Sequence, residues 1–421
     1  MREMKDSGIA WIGEIPAGWD VHPVYYYFGE RKNSNYALQE QNLLSLSYGK
    51  IIRKDINTNG GLLPASFNTY NIVEAGDIII RPTDLQNDKR SLRTGLVKER
   101  GIITSAYIDL KPKPLVNSSY FHYLLHSFDV QKVFYNMGNG VRQGLNYSEF
   151  SKLMVFSPSF SEQQSIVRFL DAKSAEIDAL SSDIQTQIDT LEQYKRSVIS
   201  EVVTRGLDPN VPTKDSGIEW VGKIPANWDI HPIYYYFEER KNSNYALQEQ
   251  NLLSLSYGRI IRKDINTNGG LLPASFNTYN IVEAGDIVIR PTDLQNDKRS
   301  LRTGLVNERG IITSAYIDLK PKPLVNSSYF HYLLHSFDVK KVFYNMGNGV
   351  RQGLNYSEFS KLMVIAPSQP EQQAIADYLD AKCAEIDQTI AQKQEQLDTL
   401  ADYKKSLIYE YVTGKKEVPG S

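Results

Sequence analysis

Residues 6–209 recur from residue 215 onward at a constant offset of 209, so the chain is two near-copies of one sequence joined head to tail. Trp11 matches Trp220 and Trp19 matches Trp228. Between 36–154 and 245–363 only four positions differ: Lys50 against Arg259, Ile79 against Val288, Lys98 against Asn307, and Gln131 against Lys340. A period this long lies far beyond the roughly 20 to 50 residues of solenoid repeats, so each copy is a domain-scale unit and the chain imitates a covalent dimer with two-fold pseudo-symmetry. All six histidines fall in matched pairs, His22 with His231, His122 with His331 and His126 with His335, so the halves share their chemistry. The 421 residues allow about two to four compact domains. With 41% apolar and 23% charged residues, disordered and fibrous classes are excluded.

Each copy divides again. Residues 36–154 are rich in short β-type runs (NIVEAGDIIIRP, GIITSAYIDLK, KLMVF) separated by the turn clusters NTNGG, QNDKR and NMGNG. A helix-like stretch, SSYFHYLLHSFDVQKVFYN, makes this a compact α+β pattern. From about 162 to 204 the apolar residues Ile166, Leu170, Ile177, Leu180, Ile184, Ile188, Leu191, Tyr194, Val198 and Val202 fall mostly three or four apart, with no Gly or Pro between them. Such a helix would be roughly 65 Å long, and its narrow stripe calls for a partner helix. The partner is a second run over about 371–413, with Ile375, Leu379, Ile386, Ile390, Leu397, Leu400, Tyr403, Leu407 and Tyr411. Lys393 and Gln394 interrupt that stripe, either as a register-fixing polar break or as a solvated stretch. Pro209 and Pro212 end the first helix, and an irregular linker leads into the second copy. The opening segment, related to that linker, is placed against the end of the second long helix. The resulting fold class is α+β: two globular domains separated by two long antiparallel helices in a coiled coil. The expected limits are 1–160 for the first domain, 161–205 for its helix, 206–369 for linker and second domain, 370–414 for the second helix, and 415–421 for a flexible tail.

The single cysteine, Cys383, excludes an internal disulfide framework and a thiolate-rich zinc site. The N-terminus lacks the basic-then-apolar pattern of a secretory signal, and no run approaches the roughly 20 apolar residues of a membrane span, so no membrane contact and a cytoplasmic location are expected. The sequence contains no P-loop, dinucleotide fingerprint, H-E-x-x-H or EF-hand motif, which disfavours an enzyme acting alone and nominates no catalytic residue, cofactor site or metal site. NMGNGVRQG at 136–144 has the wrong spacing and context for a phosphate loop. His122 and His126, four apart on a helix, lack an evident third ligand and read as ordinary core or surface histidines. The run Tyr25, Tyr26, Tyr27 and Phe28 reads as core rather than as a base-stacking surface.

Net charge is only -2, from 47 basic and 49 acidic residues, but the charge is segregated. Residues 36–154 hold 14 Lys and Arg against 10 Asp and Glu, whereas 162–205 hold 5 against 8. The loop RPTDLQNDKRSLRTG at 81–95 gathers Arg81, Lys89, Arg90 and Arg93 with Gln86 and Asn87, and GNGVRQGLN adds Arg142, Gln143 and Asn146. The second copy repeats them as Arg290, Lys298, Arg299, Arg302, Arg351, Gln352 and Asn355. Cationic side chains neutralise phosphates, Arg pairs with guanine O6 and N7, and Asn or Gln bonds doubly to adenine, so these residues are candidate DNA contacts. A solvated loop with surface ion pairs is the alternative reading for one copy alone. None of the four substitutions falls in 81–95 or 136–149, which favours DNA.

The segments DSGIAWIGEIPAGWD and DSGIEWVGKIPANWD, the strand EAGDIIIRP, the helix starts EQQSIVRFLDAKSAEID and EQQAIADYLDAKCAEID, and the ending QYKRSVISEVVTRGLDP together resemble the specificity subunit of type I restriction-modification systems. The resemblance covers nearly the whole chain, in duplicate. It implies two target recognition domains, each reading half of a bipartite sequence in double-stranded DNA, held apart by two long antiparallel helices. It also implies docking to two methyltransferase subunits, which use S-adenosylmethionine, and to restriction subunits driven by ATP. The chain itself would carry no catalytic activity and no cofactor. Members of that family commonly carry two different recognition domains, whereas these are almost identical. Like domains on a two-fold axis read the same bases on opposite strands, so an interrupted palindrome is expected. Half-site centres would lie on the order of one to one and a half turns apart, at about 3.4 Å per base pair. The rival reading is a coiled-coil scaffold presenting two identical ligand domains to a symmetric protein partner.

Overall fold

The computed structural model describes residues 2–57, 64, 66–83, 85, 92–137, 144–265, 273, 275–292, 294, 301–346 and 353–419. They form two compact units, one built from residues 1–184 with 395–421 and the other from 185–394. Each long helix is therefore divided: Phe160–Arg205 and Gln369–Val412 both contribute one part to each unit.

In the first unit a four-stranded antiparallel sheet has the order Phe28–Glu30, Ile108–Pro112, Ile78–Ile80, Thr94–Leu96. The run Ile78, Ile79 and Ile80 is buried throughout because both faces of this sheet are covered. Ile78 and Ile80 face a core with Trp19, Phe28, Tyr120, Phe121, Leu124 and Phe128. Ile79 faces the opposite way, into a smaller cluster of Leu44, Val73, Val97 and Ile103. The hairpin Leu44–Ser47 with Lys50–Arg53 packs over the edge strand, so closely that a Cβ on Gly95 would lie 2.6 Å from Leu46 Cδ1 and the leucine would have to shift. Strands Asn71–Val73 and Gly101–Ile103 pair beside it, and Asp20–Pro23 pairs with Met154–Ser157. The helix Ser118–Val130 starts on the Asn117 side chain, which accepts from the Tyr120 amide, and ends before Lys132 turns left-handed at φ 59°. A 3-10 turn at Val133–Asn136 follows.

The same core extends onto both long helices: Ile166, Leu170 and Ile177 of the first, and Leu407, Ile408, Tyr411 and Val412 of the second. Tyr120 Oη donates to the carbonyl of Val412 at 3.1 Å. The helix segments run antiparallel, with Phe169 against Tyr411 and Lys404 Nζ 2.6 Å from Asp178. The opening segment also lies against the end of the second long helix. Gly414, at φ +70°, leaves room for Pro16 and Trp19 within 3 Å of where a Cβ would stand, and Lys415 Nζ bonds the carbonyl of Ile12 at 3.0 Å. The stretch after 414, expected as a flexible tail, packs Val418 against the core and pairs Lys416 with Glu410.

The second unit repeats this plan. Its sheet is Phe237–Glu239, Ile317–Pro321, Ile287–Ile289, Thr303–Leu305, and its core takes Ile199, Val202 and Val203 from the first long helix with Ile375, Leu379 and Cys383 from the second. Tyr329 Oη donates to Val203 at 3.3 Å, Lys195 Nζ bonds Asp387 at 2.6 Å, and Lys393 reaches Gln187. The polar break in the second helix is thus a cross-helix contact.

Three expectations are corrected. The first long helix stops at Arg205, before the prolines, because Gly206 at φ +77° ends it and its amide returns to Val202. Leu180, Tyr194 and Tyr403 are exposed rather than part of the seam, since a straight helix drifts away from a strict seven-residue repeat. Of the aromatic run only Tyr27 and Phe28 are core: Tyr25 and Tyr26 are 53% and 55% exposed, with Tyr26 stacked on His22 at 4.0 Å. No helix among the described residues is long and apolar enough to cross a membrane.

Candidate nucleic-acid interface

The segment from Arg81 to Arg93 connects two neighbouring strands of the main sheet, leaving after Ile80 and returning at Thr94, which face each other across the pairing. Two backbone bonds start the connection: the Arg81 amide donates to the Arg93 carbonyl at 2.8 Å, and the Leu145 amide donates to the Pro82 carbonyl at 3.0 Å. The second bond brings in the other candidate loop, which runs from the 3-10 turn at Val133–Asn136 to the short helix Tyr147–Phe150. The structure therefore brings the two loops nominated by residue chemistry together at their bases. The second unit repeats this, with Arg290 to Arg302 at 2.8 Å and Leu354 to Pro291 at 3.0 Å.

Among the nominated side chains, Lys89, Arg90, Arg142 and Gln143, with Lys298, Arg299, Arg351 and Gln352, lie outside the described residues. Arg81 and Arg290 stand half-buried at the loop bases. Asn146 and Asn355 are exposed, but each caps a short helix, its side-chain oxygen accepting from the amide of Glu149 or Glu358 at 3.0 Å. Arg93 and Arg302 are 0% exposed, which takes them away from any surface that a duplex could touch. Arg93 Nε donates to Tyr135 Oη at 3.0 Å, and its Nη1 donates to the carbonyls of Thr83 and, at 3.5 Å, Arg81. Its backbone amide donates to Asp129, whose carboxyl burial pushes up to about 6. Arg302 makes the matching contacts with Tyr344, Thr292 and Asp338.

Two further arginines of the first unit are held in surface ion pairs, Arg53 with Glu99 and Arg100 with Glu40 and Glu74. The histidine pair packs ring to ring, with centroids 6.0 Å apart. Burial lowers His122 to about 3, with His126 beside it adding to the effect, and lowers His126 to about 4. Among the described residues no group of three His, Cys, Asp or Glu could hold a metal ion. Sequence reasoning did not single out Tyr48 and Tyr257, which stand at hairpin tips about three-quarters exposed with φ 45°. A Tyr-Gly pair between two short strand-like runs is the signal that was available.

Residues 241–399 match the family model described as the type I restriction modification DNA specificity domain. The fold is shared across almost the whole chain with a solved chain described under "Structural basis underlying complex assembly and conformational transition of the type I R-M system": TM-score 0.68, 12% identity, 96% of this chain and 99% of that one. The HsdS subunit from Thermoanaerobacter tengcongensis aligns with TM-score 0.49 and 13% identity over 96% of this chain and 98% of its own. The type I S subunit from M. genitalium aligns with TM-score 0.36 and 14% identity over 93% and 96%. No curated protein sequence matches the chain. The family match thus lies on the second copy, and the fold is shared over almost the whole chain. Residues 32–154 of the first copy repeat the matched stretch as far as 363 with only four substitutions.

Proposed function

We propose that the chain reads an interrupted palindrome in double-stranded DNA and directs adenine methylation and restriction by partner subunits to that site. In this reading residues 1–160 and 206–369 carry the two recognition domains, and 161–205 with 370–414 are the spacer that also receives the partners. The observation that carries it is the near-identity of residues 36–154 and 245–363, the latter inside the stretch that matches the DNA specificity domain; their four differences all avoid the candidate loops. Two readers of the same chemistry in pseudo-two-fold relation recognise the same bases on opposite strands. Lys89, Arg90, Arg142 and Gln143 and their four counterparts are the proposed groove-facing side chains, with Arg81, Asn146, Arg290 and Asn355 at the loop bases.

Sequencing methylated adenines in a host carrying the intact system tests this. The expected motif is two inverted copies of one half-site around an unspecified spacer, and two unlike half-sites would reject it. Binding is expected to weaken steeply with salt, as phosphate neutralisation requires. Salt-insensitive association with a symmetric protein partner would instead favour the scaffold reading.

A further inference from the structure

We infer that Arg93 and Arg302 are positioning residues for sequence discrimination: each locks the bases of the two candidate reading loops of its domain into one rigid piece. The inference rests on the proposed DNA reading and deepens it. Arg93 ends the segment that carries Lys89 and Arg90, while Tyr135 and Leu145 flank the segment that carries Arg142 and Gln143. The buried guanidinium spans the two. On one side it holds the carbonyls of Arg81 and Thr83, and on the other it bonds Tyr135 Oη with its charge 5.0 Å from the centre of that ring. Tyr135 is itself fixed by Lys132 Nζ at 3.0 Å and by donation to Asp129 Oδ1 at 3.4 Å. Asp129 closes the circuit by accepting the Arg93 amide.

The same circuit joins Arg302, Tyr344, Lys341 and Asp338 in the other domain, with Nε to Oη at 2.9 Å and Tyr344 Oη to Asp338 at 3.1 Å. A fully buried cation is poor value for stability alone, since well-packed apolar residues of similar volume commonly do as well. Its planar, forked donor set instead fixes where several acceptors sit relative to one another, which a lysine ammonium cannot do. Base-edge recognition needs that fixity, because donor pairs must meet base acceptors within about 0.5 Å.

The test uses the full chain purified with the subunits that accompany it, a randomised duplex library, and a mixed-sequence duplex as the non-specific probe. Arg93→Lys with Arg302→Lys is expected to cut the preference for the enriched sequence over its single-base variants by roughly tenfold or more. Affinity for the mixed-sequence duplex should stay within about threefold, because no phosphate contact is removed. Tyr135→Phe with Tyr344→Phe deletes only the hydroxyls and decides the matter should the lysine variant fail to fold; it should lose preference in the same direction. Folded variants that keep the wild-type preference would overturn the clamp while leaving DNA reading intact. A wild-type chain that enriches no sequence would overturn both.

Discussion

Asp109 sits on the central sheet 1% exposed, with neither carboxylate oxygen hydrogen-bonded, beside an Arg31 that already bonds Asp77. One guanidinium cannot balance two buried carboxylates. Burial first, and the neighbouring Asp77 second, push Asp109 up to about 8, against the pull of Arg31, and Asp318 stands likewise beside Asp286 and Arg240. Between the ordinary carboxyl range and pH 8 the folded chain holds protons that the unfolded chain has released, so rising pH destabilises it by up to about 1.4 kcal/mol per pH unit per group. The histidines act in the opposite sense. Burial holds His126, His331 and His335 near 4 and His122 near 3, so stability falls as pH drops below about 6.5, where unfolded histidines take up protons. The thermal midpoint should therefore peak near neutrality, and Asp109→Asn with Asp318→Asn should flatten its decline between pH 7 and 9. An unchanged slope, followed by calorimetry across that range, would contradict the assignment. The sequence displays these residues without their roles: Arg93 stands there among the candidate DNA contacts, and nothing in YIDLK marks Asp109 as buried. What buries Arg93 is Tyr135, 42 positions away, and no local pattern reports that distance.

At the scale of elements, the long helices were legible because uninterrupted three-and-four spacing has few other interpretations. Their ends were less so, since Gly206 and Gly414 are what stop them and the prolines only follow. The isoleucine strand was visible as a run, but coverage of both its faces depends on a hairpin that arrives from residues 44–53. The contact between the domain helix and the far helix end could not be anticipated, because it joins Tyr120 to a carbonyl 292 residues away. Tyr120→Phe with Tyr329→Phe removes those hydroxyls from Val412 and Val203 and from the strand carbonyls of Phe156 and Ile365. A loss of about 1 kcal/mol per site is expected in urea unfolding, the usual worth of a buried hydrogen bond. No change in midpoint would show that the contact does not hold the helix end in place.

For the molecule as a whole, the repeat announced two like units, but not that each unit borrows. The first unit is completed by residues 395–421, and its core is closed by Leu407, Ile408, Tyr411 and Val412. A chain stopped after Asp208 would lack that closing segment yet retain its counterpart, Val198, Ile199, Val202 and Val203, with nothing of its own left to cover. Two such chains can each supply what the other lacks, so light scattering on the truncated protein should find a dimer, and a folded monomer would refute the complementation. A premature stop midway through the coding sequence would thus release a self-seeking half rather than an inert fragment.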